Sequence, residues 1–165
     1  MLIENSHLDT DFVVRILHLE DSLADHKLVV LTLRRAGMAC TFAQVDTLEA
    51  FGFQLASGAF DIVLADYRLP GFTALDAWAY VAQKPPHPPF ILLSGAIGDA
   101  AAVDSIRLGI ADYLLKDNLQ RLPHVVARAL EVHEARQARE QASAELKASQ
   151  RRLAELTEHL QTSIE

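Results

Sequence analysis

Five polar side chains stand directly after apolar runs. Glu20 and Asp21 follow residues 13–19, Asp66 follows 61–65, Ser94 follows 90–93, and Lys116 follows 111–115. Three carboxylates brought together repel one another unless a cation neutralises them. An all-oxygen donor set suits a hard ion such as Mg²⁺, which takes few protein ligands and keeps several waters. Asp66 is the middle carboxylate in chain order, and a carboxylate oxygen attacks phosphorus once the charges of both groups are offset. Lys116, a compact ammonium on a flexible stem, can approach a phosphoryl oxygen from the opposite edge, while the Ser94 hydroxyl can donate to another. Together these side chains supply the positioning and charge stabilisation that phosphoryl transfer needs.

Only a particular scaffold brings such residues together. Strand-length apolar runs recur at 13–19, 40–45, 61–65, 90–93 and 111–115, with helix-length segments at 23–36, 47–56, 73–83 and 98–108 between them. Runs such as IVLA and FILL are continuously apolar, as expected of strands covered on both faces in a parallel sheet. Right-handed crossovers then place helices on both sides. The expected fold is α/β: a doubly wound, five-stranded parallel sheet of order 2-1-3-4-5, flavodoxin-like, with a long C-terminal helix. Ligands bind such sheets beyond the carboxyl ends of the strands, and in this order strands one and three are neighbours. Gly37, after Arg34 and Arg35, reads as a helix C-terminus, and Gly58 and Gly109 are expected to close helices in the same way. The prolines around His87 require an extended connector, and His87 is assigned no chemistry.

Composition narrows the function classes. The chain has 165 residues, half of them apolar, and a formal charge of −7. Cys40, the one cysteine, excludes an internal disulfide or a multi-cysteine metal site and reads as a small buried hydrophobe. No apolar run approaches the ~20 residues of a membrane span, and the acidic N-terminus is unlike a secretory signal. We expect a cytoplasmic chain with no membrane association and, lacking a basic stripe, no nucleic acid as partner of these residues.

From Val125 onward there is neither Gly nor Pro, which predicts one helix of about 40 residues. Val132, Arg139, Leu146, Leu153 and Leu160 fall in one heptad position and Ala135, Ala142, Ser149, Leu156 and Ser163 in another. That seam predicts a parallel homodimer through residues 131–165. The expected organisation is a flexible arm over 1–11, a globular domain over 12–130, and a coiled-coil linker over 131–165 leading to an output domain beyond Glu165.

The series HLEDS, DIVLADYRLPG, ILLSGAIGD and ADYLLKDNL, in this order and spacing, resembles the receiver domain of two-component response regulators over about residues 12 to 130. The resemblance implies Asp66 as phosphoacceptor. It implies Glu20, Asp21, Asp66 and the Tyr67 backbone carbonyl as Mg²⁺ ligands, Ser94 as switch hydroxyl and Lys116 as phosphate partner. Tyr113 either follows the switch or simply packs its strand. A histidine kinase or phosphotransfer protein is the implied phosphoryl donor. One departure is that Asp117, where the family usually has proline, follows the lysine; a non-proline cis bond costs ~3 kcal/mol. The Lys-Asp-Asn variant resembles receivers of hybrid sensor kinases, and the tail RRLAELTEHLQTSIE resembles the helical lead-in to a sensor histidine kinase core. These residues are therefore not expected to be an enzyme beyond their own phosphorylation and dephosphorylation, although a longer protein could be such a kinase.

Three rivals stand beside this reading. A Mg²⁺-dependent aspartyl phosphatase of the haloacid dehalogenase type needs a second acid two residues after the nucleophile, where this chain has Arg68. A flavin binder of the same topology needs hydroxyl and glycine residues after strand one, where Glu20 and Asp21 stand. The third is a dimeric scaffold with the receiver fold that works without phosphorylation. The remaining acids, Asp25, Asp76 and Asp112 among them, read as caps, turns or surface, and Phe72 and Trp78 as helix packing.

Overall fold

The computed structural model describes residues 12–95, 104 and 106–164. The expected arm over 1–11 and most of the helix expected over 98–108 lie outside the described residues; of the latter, Ile106–Leu108 forms a 3₁₀ turn. Five strands form one parallel sheet: β1 (Val14–Leu19), β2 (Cys40–Val45), β3 (Ile62–Asp66), β6 (Phe90–Ser94) and β7 (Asp112–Leu115). Their order is β2-β1-β3-β6-β7, which in sheet strands alone is the expected 2-1-3-4-5. Between them run α1 (Leu23–Arg35), α2 (Leu48–Ser57) and α3 (Ala74–Ala82).

Successive residues of a strand point to opposite faces, and both faces are apolar here. On one face Ile16, Leu64, Ile91, Leu93 and Leu114 pack with Val29 and Leu33 of α1 and with Leu122, Val125, Val126 and Ala129 of the C-terminal helix. On the other, Leu17, Leu19, Val63, Ala65 and Leu92 pack with Phe51 of α2 and with Ala74, Ala77, Trp78 and Val81 of α3. Cys40 is a free, buried cysteine of the first core.

Several local expectations change. Gly37 is left-handed at φ 84°, as anticipated, but Gly58 is extended at φ −104° and ψ 157°. Its role is space: a Cβ there would lie 2.5 Å from the Phe60 ring. Phe72 packs against the core that α3 helps to form, as expected, but from a strand. It pairs with Leu69 in a short antiparallel hairpin of β4 (Arg68–Leu69) and β5 (Phe72–Thr73), turned at Pro70 and Gly71, the latter at φ 85°. The C-terminal helix spans Leu122–Thr162, beginning before Pro123 rather than after it. Proline is accommodated there because a first-turn N–H has no partner within its helix.

The chain divides into two compact units after Leu130. Within the second, the helix leaves Leu146, Leu153, Leu156 and Leu160 about 60% exposed. Among the described residues no helix is long and apolar enough to cross a membrane.

Candidate functional site

The carboxyl ends of four strands assemble the site. Parallel register aligns Asp66 with Leu93 and Ser94 with Leu115, so Asp66, Ser94 and Lys116 end three consecutive strands. On the other side of β3, Glu20 and Asp21 follow β1. The Glu20 N–H donates to the Val45 carbonyl at 2.9 Å, and its own carbonyl accepts from Gln44 Nε2 at 3.0 Å. Glu20 is thereby held at the sheet edge with its side chain inside the protein, 1% exposed. Asp66 is buried as well, whereas Asp21 is exposed.

Glu20, Asp21 and Asp66 each offer a carboxylate oxygen, all within 4.8 Å of one another. The Lys116 ammonium lies in the same pocket. Its Nζ is 3.0 Å from Glu20 Oε2, 2.9 Å from Asp25 Oδ2 and 3.2 Å from Asp66 Oδ2. It thus reaches from β7 across to the end of β1, well into the acid cluster rather than standing at its far edge. Burial pushes the Glu20 and Asp66 carboxyls above their ordinary range, and Lys116 pulls part of that back. For Lys116 burial acts to lower the pKa, but the hydrogen bonds to Asp25 and Glu20 and the charge of Asp66 outweigh it and raise the value. The ammonium is the internal cation that lets these acids coexist at close range.

The other expected residues are placed as follows. Ser94 is buried at the end of β6. The Tyr67 carbonyl accepts from the Ala74 N–H at 2.9 Å, which leaves it one further lone pair. Tyr113, on β7 beside Leu92, is half-buried against the second core. Lys116–Arg121 turns at once into a 3₁₀ stretch. Among the described residues the single cis peptide is Pro85–Pro86, so the Lys116–Asp117 bond is trans.

Three neighbours escaped the sequence reading. Asp25, read as a cap or surface acid, joins Lys116. His18 on β1 and His26 on α1 face each other with their Nδ1 atoms 2.8 Å apart. His18 is fully buried, its Nε2 has no partner, and burial, with help from His26 and Lys116, pushes its pKa down to about 3. The Leu-His-Leu context hides His18 in an apolar strand, and nothing local announces its partner.

Comparison with known proteins gives the family and the fold. The family model "response regulator receiver domain" matches residues 16–127, and the chain belongs to that family. It is 32% identical over 102 residues to the response regulator protein FleR of Pseudomonas aeruginosa, covering 62% of this chain and 21% of FleR. It is likewise 32% identical over 108 residues to the DNA-binding transcriptional regulator NtrC of Escherichia coli, covering 64% of this chain and 22% of NtrC. The chain therefore spans about a fifth of the length of these curated relatives. Among solved structures, the signal receiver domain of an HD domain-containing protein from Pseudomonas fluorescens shares the fold, with a TM-score of 0.66 at 23% identity over 75% of this chain and 99% of that one.

Proposed function

We propose that this receiver domain accepts a phosphoryl group on Asp66 from a phosphohistidine on a histidine kinase or phosphotransfer protein. The observation that carries the reading is the convergence of Asp66, two further acids and the Lys116 ammonium at the strand ends. An Asp66 carboxylate oxygen forms the P–O bond as the P–N bond of the donor breaks and its imidazole leaves. Lys116, already 3.2 Å from Asp66 Oδ2, needs only a small side-chain movement to meet a phosphoryl oxygen, and Ser94 at the end of the adjacent strand can donate to another. Tyr113, half-buried on the same strand as Lys116, is the aromatic that would respond to Ser94.

Three oxygen donors from Glu20, Asp21 and Asp66 fit Mg²⁺, and the Tyr67 carbonyl has a lone pair to add. Bound there, the ion would offset the charge between Asp66 and the incoming phosphoryl group. The Mg²⁺-dependent aspartyl phosphatase has less support, because Arg68 stands two residues past Asp66. Incubation with acetyl phosphate and Mg²⁺, read by intact mass, should add one phosphoryl group. Equal labelling of Asp66→Asn, or labelling undiminished by chelator, overturns the assignment, and no labelling of the wild type favours the phosphorylation-independent scaffold.

In this reading residues 12–130 are the receiver and 131–165 a linker that pairs two copies in parallel and relays the change to an output module, a histidine kinase core being one candidate. The arm is 1–11, and the setting is the cytoplasm. The exposed leucines at 146, 153, 156 and 160 support the pairing, since covering each stabilises by ~1.5–3 kcal/mol. Light scattering should report a dimer, and Leu153→Glu with Leu160→Glu a monomer; a wild-type monomer well above micromolar concentration rules the pairing out.

A further inference from the structure

Helix α1 starts at an N-cap, Ser22, whose side chain accepts from the Asp25 N–H at 3.2 Å. An acid three residues after a serine or threonine cap ordinarily reaches back to the N–H of the cap and closes a capping box. Here that N–H is taken: Ser22 donates it to Glu20 Oε1 at 3.1 Å. The Asp25 carboxylate is turned instead onto Lys116. Asp25 lies outside the trio whose oxygens converge, while the other two partners of Lys116, Glu20 and Asp66, lie within it. An ammonium held by those two alone would compete with a cation for the same oxygens.

We propose that Asp25 is a positioning residue of the phosphoacceptor site: it gives Lys116 a carboxylate outside the cation-binding trio, so that the ammonium keeps a partner beside Asp66 when Mg²⁺ takes the Glu20 and Asp66 oxygens from it. The inference rests on the phosphoacceptor reading above. Mg²⁺ must displace Lys116 from Glu20 and Asp66 in either case; without Asp25 the displaced ammonium loses its one carboxylate partner outside the trio, so it holds those two more tightly against the ion.

The test is the Mg²⁺ concentration giving half of the maximal thermal stabilisation of the full chain. Asp25→Asn should raise it about fivefold, and Asp25→Glu should restore it to within about twofold of wild type. In a Lys116→Met background, Asp25→Asn should move the midpoint by less than about twofold, because the competitor is gone. Asp25 is 46% exposed in its side chain, so its replacement leaves the core intact, and the melts themselves report folding; Asp25→Ser provides an independent second removal. A midpoint unchanged in Asp25→Asn, failure of Asp25→Glu to restore it, or a shift that persists without Lys116 overturns the inference, the last assigning Asp25 a through-space charge effect. The phosphoacceptor reading fails separately: if wild type shows no Mg²⁺ stabilisation, or Asp66→Asn shows the same one, both fall.

Discussion

Helices α1 and α3 begin with the same local grammar and attach to the sheet in different ways. Ser22 and Asp25 open the first, Thr73 and Asp76 the second. In α3 the box closes on itself: Thr73 Oγ1 accepts from the Leu75 N–H at 3.3 Å, and Asp76 Oδ2 accepts from the Thr73 N–H at 3.0 Å. Its inner face, Ala74, Ala77, Trp78 and Val81, is wholly apolar. In α1 the equivalent acid is diverted to Lys116, and His26 meets the buried His18. The side chains of α3 fasten it by packing alone, beside one backbone hydrogen bond from the Ala74 N–H to the Tyr67 carbonyl at 2.9 Å. The side chains of α1 are also tied to the site by polar contacts, so a change of charge at the strand ends acts directly on α1.

The largest effect that would sharpen this contrast is on the packed helix. Trp78 is 7% exposed and meets the Phe90 and His87 rings edge-on at 5.5 and 5.2 Å. Trp78→Ala should cost ~3–5 kcal/mol of stability in denaturant melts and leave the Mg²⁺ midpoint untouched. A shifted midpoint would break the distinction between the two helices.

Next in size is a pH effect confined to the α1 side. His18 titrates near 3 in the folded protein, against about 6.5 in an unfolded chain. Between those values the unfolded chain binds a proton that the folded one does not. The associated stability is therefore complete above about pH 6.5 and declines as pH falls toward 3. From pH 6.5 to 5, wild type should lose ~2 kcal/mol more than His18→Leu. Parallel pH profiles for the two proteins would show that the histidine pair adds no coupling.

The smallest effect is at the cap of α3. Asp76→Ala removes one hydrogen bond from an exposed helix start and should cost ~0.5–1 kcal/mol with no change in Mg²⁺ response. Asp25→Asn, by contrast, should change the Mg²⁺ response more than the melt. If the two substitutions behave alike, the shared grammar of the two N-termini outweighs their different neighbours.

The strands, the covered sheet and the residues at its carboxyl edge were legible in the sequence because each is encoded by contiguous residues, while the strand order followed only from the doubly wound fold class that their alternation with helices implies. Continuous apolar runs mark doubly covered strands, and the polar residue ending each run is carried by the chain to the same edge. The C-terminal helix was legible for the same reason, its stretch after Pro123 lacking Gly and Pro. The hairpin at Arg68–Thr73 was not, since two-residue strands have no period to detect.

What only the tertiary structure decided is the partner of each charge. Ser22-x-x-Asp25 and Thr73-x-x-Asp76 are equivalent as strings, yet one N-cap amide meets Glu20 and the other its own helix. Lys116 lies 96 residues from Glu20 and 91 from Asp25 in sequence, and no local pattern specifies which of the nearby acids it joins. Burial then sets the energetics: Glu20 and Asp66 are shifted upward because the folded chain removes water from them. Desolvation is a property of the surroundings, and those surroundings come from segments distant along the chain.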